Sequence, residues 1–219
     1  MNHRAALQRI ANSNGDNRAS GTPGYDASLD SIEKALRDVG YTVTRQEFLF
    51  NTFGLLAPSV FERVSPDPRT YVEGTDCYTA EYSGSGDVTR AIQAVDVVEP
   101  TTVASLSTSG CESTDFTGFT RGNIALIQRG TCNFVVKAEN ADNAGAAGVI
   151  IYNEGTIGAP DRNDTLNPTL GDAADVDIPV VGTNYAVGDE LLDLSLVPGG
   201  RRCICRRRPR SGRTSPPRT

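Results

Sequence analysis

The sequence predicts an α/β opening of two helices and a strand, followed by a β-rich α+β domain. Three observations carry that prediction. One is an amphipathic helical stripe near the amino terminus. Another is a series of short β-type segments separated by Gly, Pro, Ser and Asp from about residue 58. The last is an alanine-rich stretch held between two apolar runs around residues 124–152. A chain of 219 residues is long enough for one or two domains with real cores. No apolar run approaches the roughly 18 residues of a membrane span, so none is expected.

Taken in order, a short helix around Arg4 to Asn12 gives way to "NSNGDNRASGTPG", a loop rich in Asn, Ser and Gly. Thr22 is then placed to cap a second helix, with Pro23 at its first position, where the missing N–H costs nothing. Tyr25, Leu29, Ile32, Leu36 and Val39 form one apolar stripe, and Gly40 ends the helix. "YTVTRQEFLF", residues 41–50, is β-branched and aromatic enough to be a strand. The apolar parity changes between Val43 and Phe48, which predicts a bulge or an edge. Two helices and one strand cannot enclose a core alone, so this unit reads as the opening of a larger α/β domain.

From about Pro58 the segments "FERVSP", "YVEGTDCYTAEYSGSGD", "TRAIQAVDVVEP", "GNIALIQRG", "AGVIIYNEG" and "DIPVVGTN" read as short strands and turns. Within them, Cys132 or Asn133 starts a helix that places Phe134, Ala138, Ala141 and Gly145 on one face. The small residues let the axis approach a sheet closely, with Phe134 as the large anchor. "GVIIY" is then a fully buried strand. "YSGSGD", residues 82–87, lacks the Lys of a P-loop and the helical context of a dinucleotide fingerprint, and reads as a hairpin turn.

Charge narrows the possible functions. The segment from Arg201 onward holds eight of the 21 basic residues and none of the 27 acidic ones, leaving residues 1–200 with 13 basic against 27 acidic, a net of −14. An acidic body argues against nucleic-acid binding, which needs a basic footprint. The amino terminus, "MNHRAALQRIANSNGDNR", has no continuous apolar core and does not read as a signal peptide.

The five cysteines are Cys77, Cys111, Cys132, Cys203 and Cys205. Cys111 follows "STSG" and Cys132 follows "QRGT", turn-like settings on either side of an apolar strand. They suit a Cys111–Cys132 disulfide, with two buried free thiols as the alternative. Such a bridge contributes about 3 kcal/mol in the chain-entropy model and belongs in an oxidising compartment. It would leave Cys77 unpaired.

Catalytic constellations are scarce. The one histidine is His3, near the terminus, and no "GxSxG" nucleophile elbow is present. Residues 154–177 gather acidic side chains, among them Asp161, Asp164, Asp172 and Asp175, whose oxygens could hold calcium. Their spacing is not that of an EF-hand, so a solvated acidic loop beside a binding edge is the favoured reading. "NDT" at Asn163 fits an N-glycosylation acceptor.

"SGCESTDFTGFTRGNIALIQRGTCNFVVKAENADNAGAAGVIIYNEG" followed by "IPVVGTNYAVGDELL" resembles a protease-associated (PA) domain over roughly residues 60–195. "GDNRASGTPGYDASLDSIEKALRDVGYTVTRQEF" resembles the start of secreted zinc aminopeptidases of the aminopeptidase Y type, in which a PA domain is inserted after the first strand. The resemblance implies residues 1–57 as the amino-terminal segment of a zinc-peptidase-like domain and 58–197 as a PA domain. Residues 198–219 are left as a basic tail, "VPGGRRCICRRRPRSGRTSPPRT" from Val197, expected to be disordered and consistent with a shifted reading frame of a GC-rich gene.

Family members hold two zinc ions with His, Asp and Glu and use a Glu as general base. Those ligands lie after the PA domain, so no catalytic or metal residue carries over to this chain, and no cofactor is expected in it. Zinc is expected only in the complete family enzyme. The implied role is non-catalytic: contacting peptide or protein substrates, or the missing catalytic domain, and shaping access to an active site in an extracellular protein. The alternatives are a stand-alone PA binding module and a metallo-aminopeptidase whose ligands come from another chain.

Overall fold

The computed structural model describes residues 3–50, 52–55, 57–98, 106–156, 158–172, 174–196 and, as backbone, 202–206. The chain folds as two compact units, Met1–Leu49 and Phe50–Thr219. No helix among the described residues is long and apolar enough to cross a membrane.

In the first unit, α1 spans His3–Asn12 and α2 spans Pro23–Asp38. The Thr22 hydroxyl accepts a hydrogen bond from the Tyr25 amide at 3.4 Å, satisfying one of the orphan donors of the first turn. Gly24 lets α2 approach the preceding loop closely, since a Cβ there would lie 2.0 Å from the Asn17 carbonyl oxygen. The expected strand over residues 41–50 does not form. A strand needs a neighbour for its backbone groups, and no ladder involving this segment exists among the described residues. The segment is instead tied to α2 by Arg45, whose guanidinium meets Asp30 and Glu33, each at 2.6 Å. Hydrogen bonds from Arg37 and, next, from Arg45 hold Glu33 below the usual carboxylate range. The apolar stripe of α2 runs from half-buried Tyr25 and Leu29 to exposed Ile32, Leu36 and Val39, the last 71% accessible.

The second unit is built on an eight-stranded sheet. Its strands are β1 (Val60–Arg63), β2 (Arg69–Tyr71), β3 (Cys77–Thr79), β4 (Asp87–Val95), β5 (Ile124–Gln128), β6 (Gly148–Tyr152), β7 (Val180–Thr183) and β8 (Arg202–Arg206). They lie in the order β2-β1-β8-β4-β5-β6-β7-β3. Strands β4 to β7 are parallel neighbours, and β8 and β3 flank them antiparallel. The helices α3 (Phe134–Asn143) and α4 (Tyr185–Ser195) cover opposite faces. Because side chains alternate along a strand, Ala125, Ile127, Val149 and Ile151 meet Ala138 and Ala141 of α3, while Ile124, Leu126, Ile150 and Tyr152 meet Val187 and Leu191 of α4. Both faces being covered, β5 and β6 are apolar almost throughout and fully buried. Phe134 packs at the margin of the α3 layer as a partly buried anchor.

Residues 82–87 do not close a hairpin. The strands on either side, β3 and β4, lie apart in the sheet, so this segment is a connection across it. Gly84 lets that connection pass the chain at Asp177, where a Cβ would lie 2.0 Å from backbone atoms.

The expectation of a disordered tail over 198–219 also fails for part of its length. Arg202–Arg206 pair with β1 on one side and β4 on the other. Two strand edges facing each other leave a row of unpaired amides and carbonyls, and ladder hydrogen bonds accept almost any sequence that can extend. Residues 198–201 and 207–219 of the expected tail lie outside the described residues. Glu190 of α4 further secures the β1–β2 hairpin, accepting from Arg63, Arg69 and, at 3.1 Å, the Tyr71 hydroxyl.

Candidate functional site

In an open sheet with parallel strands, the carboxyl ends of those strands are where loops gather functional groups. Here that edge comprises the ends of β4, β5 and β6, the loop ending at the Cys111–Cys132 disulfide, and the first turns of α3. The bridge joins residues 21 apart with Cα atoms 5.8 Å from each other. It ties the loop before the short 3-10 turn Ser113–Phe116 to the residue next to the Asn133 cap of α3.

Loop and strands interlock through polar contacts. The Ser109 hydroxyl donates to the Val95 carbonyl and accepts from the Gln128 amide at 3.0 Å. The Gln128 side chain meets both backbone groups of Val98, donating at 3.1 Å and accepting at 3.4 Å. Asn153, just past β6, holds the following loop by donating to the carbonyls of Asp161 at 3.1 Å and Asp164 at 2.8 Å. Its side-chain oxygen accepts from the Arg129 guanidinium at 3.3 Å and from the Glu154 amide at 3.0 Å.

Lys137 is the least expected member. It sits in the first half of α3 with no accessible surface, although its stem follows Val136 in an otherwise ordinary amphipathic segment. Its ammonium donates to the Ser109 carbonyl and lies 3.6 Å from Cys111 Sγ. Burial pushes it down to about 8, against weaker support from Asp115 and Glu154. Glu154 is equally buried and forms an ion pair with Arg162 at 3.2 Å. Arg129 is lowered by burial and, next, by the positive charge of Arg162.

The lowered Lys137 has a measurable consequence. Below about pH 8 the ammonium is charged in both folded and unfolded chains. Between about 8 and the ordinary lysine value of 10.5 the unfolded chain still holds a proton that the folded chain has lost. The unfolded state binds more protons in that window, so stability contributed by this site rises with pH through it, by at most about 3 kcal/mol. Urea denaturation from pH 7.5 to 10.5 should therefore show wild type gaining on Lys137→Met as pH increases. Cys77, a buried thiol pushed up to about 12, opposes stability in the upper part of that range, but equally in both proteins.

Asp161, Asp164, Asp172 and Asp175 are all exposed. Asp161 faces Arg162 at 3.3 Å, and no group of three or more His, Cys, Asp and Glu side chains able to hold a metal exists among the described residues. His3 is exposed on α1, in the other unit. Among the described residues no donor set fits the zinc pair that the resemblance places in the complete family enzyme. Asn163, the glycosylation acceptor, is exposed in the same loop. What the carboxyl edge does hold together is a buried polar scaffold in which each charge has an opposite or a dipole beside it.

Residues 93–191 match the family model of the PA domain. This chain carries a PA domain. The match runs from the middle of β4 to α4, so the parallel strands, both covering helices and the disulfide-linked carboxyl edge are all parts of the PA domain. Beyond it, the chain is similar to an aminopeptidase of Pseudomonas aeruginosa, with 43% identity over 182 residues, 83% of this chain and 33% of that protein. It is 31% identical over 192 residues to a probable lipoprotein aminopeptidase, LpqL, of Mycobacterium tuberculosis, covering 87% of this chain and 35% of that one. The chain thus spans about a third of the length of these curated relatives. Among solved structures it shares its fold with an aminopeptidase from Aneurinibacillus sp. strain AM-1, with a TM-score of 0.68 at 24% identity, covering 94% of this chain and 43% of the other. A zinc aminopeptidase from Bacillus subtilis aligns with a TM-score of 0.59 at 23% identity, covering 93% and 42%.

Proposed function

We propose that this chain is the PA-bearing, non-catalytic portion of a secreted zinc aminopeptidase-like protein, contacting peptides or proteins and shaping access to an active site made by other residues. The observation that carries this reading is the coverage: 43% identity runs along 83% of this chain but only 33% of the Pseudomonas aeruginosa aminopeptidase. The chemistry agrees with it, because a zinc pair needs several His, Asp and Glu ligands and the whole chain has one histidine. The first unit supports it as well. Exposed Ile32, Leu36 and Val39 on α2, and a β-type segment at 41–50 with no ladder among the described residues, suit a unit whose neighbours in a larger domain supply the rest of the core. A disulfide suits an extracytoplasmic setting.

The test is aminopeptidase activity of the purified chain on a panel of aminoacyl anilides, with and without added zinc, together with metal analysis. The expected outcome is no zinc-dependent cleavage and no stoichiometric zinc. Chelator-sensitive cleavage that returns with zinc would overturn the reading and place a metal site in this chain.

A further inference from the structure

The Cys111–Cys132 bridge does not sit in neutral surroundings. An ammonium group is buried against one of its two sulfurs: Lys137 Nζ is 3.6 Å from Cys111 Sγ, and its nearest other acceptor is the Ser109 carbonyl. The carboxylates that influence Lys137 are Asp115, in the 3-10 turn, and Glu154, past β6. Glu154 already has Arg162 at 3.2 Å. Cys111 and Cys132 are both half-buried rather than enclosed, and exposed Thr131, whose hydroxyl is 3.7 Å from Cys111 Sγ, adjoins the bridge.

A positive charge beside one sulfur makes the two ends of a disulfide unequal. Exchange is faster when the departing thiol has the lower pKa, and a neighbouring ammonium lowers it. We propose that this bridge is a reducible clamp, opened by a dithiol that attacks Cys132 and expels Cys111 as a thiolate held by Lys137. In the first step the dithiol's thiolate forms a bond to Cys132 Sγ, the Cys111–Cys132 bond breaks, and its electron pair leaves on Cys111 Sγ. In the second, the dithiol's other thiolate displaces Cys132, which takes a proton from water, and the dithiol is oxidised to its disulfide. Opening releases the covalent tie between the loop and α3. Asn140 still donates to the Gly110 carbonyl at 3.1 Å and Lys137 to that of Ser109, so the loop is loosened without losing its place.

Two measurements on the full chain test this. In wild type reduced with dithiothreitol, iodoacetamide alkylation followed by peptide mapping across pH 5 to 9 should show Cys111 ionising at lower pH than Cys132, by a unit or more. In the oxidised chain at pH 7, dithiothreitol should open the bridge about tenfold faster in wild type than in Lys137→Met, and quenching early should trap the reductant on Cys132. The first measurement needs no substitution, so it stands even where Lys137→Met folds poorly. Equal ionisation of the two thiols, or mixed disulfide trapped on Cys111, would overturn the proposal and leave Lys137 as a structural donor to Ser109.

Discussion

Gly188→Val should lower the melting temperature by about 10 °C or more. Gly188 faces the sheet from α4, and a Cβ at that position would lie 2.1 Å from the ring of Tyr152. Tyr152 has no accessible surface and is enclosed by the same layer that contains Ile150, Val187 and Leu191, so it has nowhere to move. Overpacking a well-filled core costs typically 1–3 kcal/mol and more when the clash involves a rigid ring. At this chain length each kcal/mol corresponds to roughly 2–4 °C. Gly54→Ala is the matched control, because nothing lies within 4 Å of the added Cβ. Thermal melts followed by circular dichroism would decide it. A Gly188→Val protein melting within 2 °C of wild type would mean that α4 does not lie on the sheet as described.

Ending the chain after Leu196 should be nearly as damaging. That deletion removes β8, and with it both ladders that join the β1–β2 hairpin to the parallel strands. The exposed backbone groups of β1 and β4 would have to find water, and Phe61 and Tyr71, stacked at 4.7 Å and each 3% accessible, would lose the sheet that shields them. A buried group left without its partner costs about 1–3 kcal/mol, so several together exceed what one clamp can offset, even with Glu190 still gripping Arg63 and Arg69. The truncated chain should aggregate in size-exclusion chromatography or melt at least 10 °C lower. A chain carrying Thr and Val in place of residues 202–206 should recover most of the loss, because the contribution assigned to β8 is made through its backbone. Undiminished stability on truncation would remove β8 from the sheet.

The alanine-rich face of α3 was legible because its apolar and small residues recur within the helix itself, and "GVIIY" because a strand covered on both faces has no polar side to show. α4 was missed. Its signal was present in Asn184, whose side chain accepts from the Val187 amide at 2.9 Å, and in Val187 and Leu191 four residues apart, but a glycine at 188 weakens a helical reading. That glycine is needed by Tyr152, far away in sequence. The turn settings of Cys111 and Cys132 pointed to the pair that the structure joins. Nothing local marked Lys137, which in "NFVVKAENADN" resembles any solvated lysine. Its partners at Ser109 and Cys111 come from a loop 28 and 26 residues earlier. Likewise Asn153 and Arg129 become a unit only when β5 and β6 lie side by side.

By itself, then, the amino-acid order determined those features whose causes lie within about one helical turn or one strand: the Thr22 and Pro23 start of α2, the small-residue face of α3 and the buried run of β6. The PA resemblance was likewise readable as a linear pattern. Tertiary structure alone decided that residues 82–87 cross the sheet, that 41–50 form no ladder among the described residues, and that a basic segment supplies β8. It also decided that a lysine is buried against a disulfide. The physical reason is common to all four. Ladder hydrogen bonds are made by backbone that every residue carries, and the cost of burying a charge is set by whatever the fold brings next to it, so neither quantity is encoded near the residue that it governs.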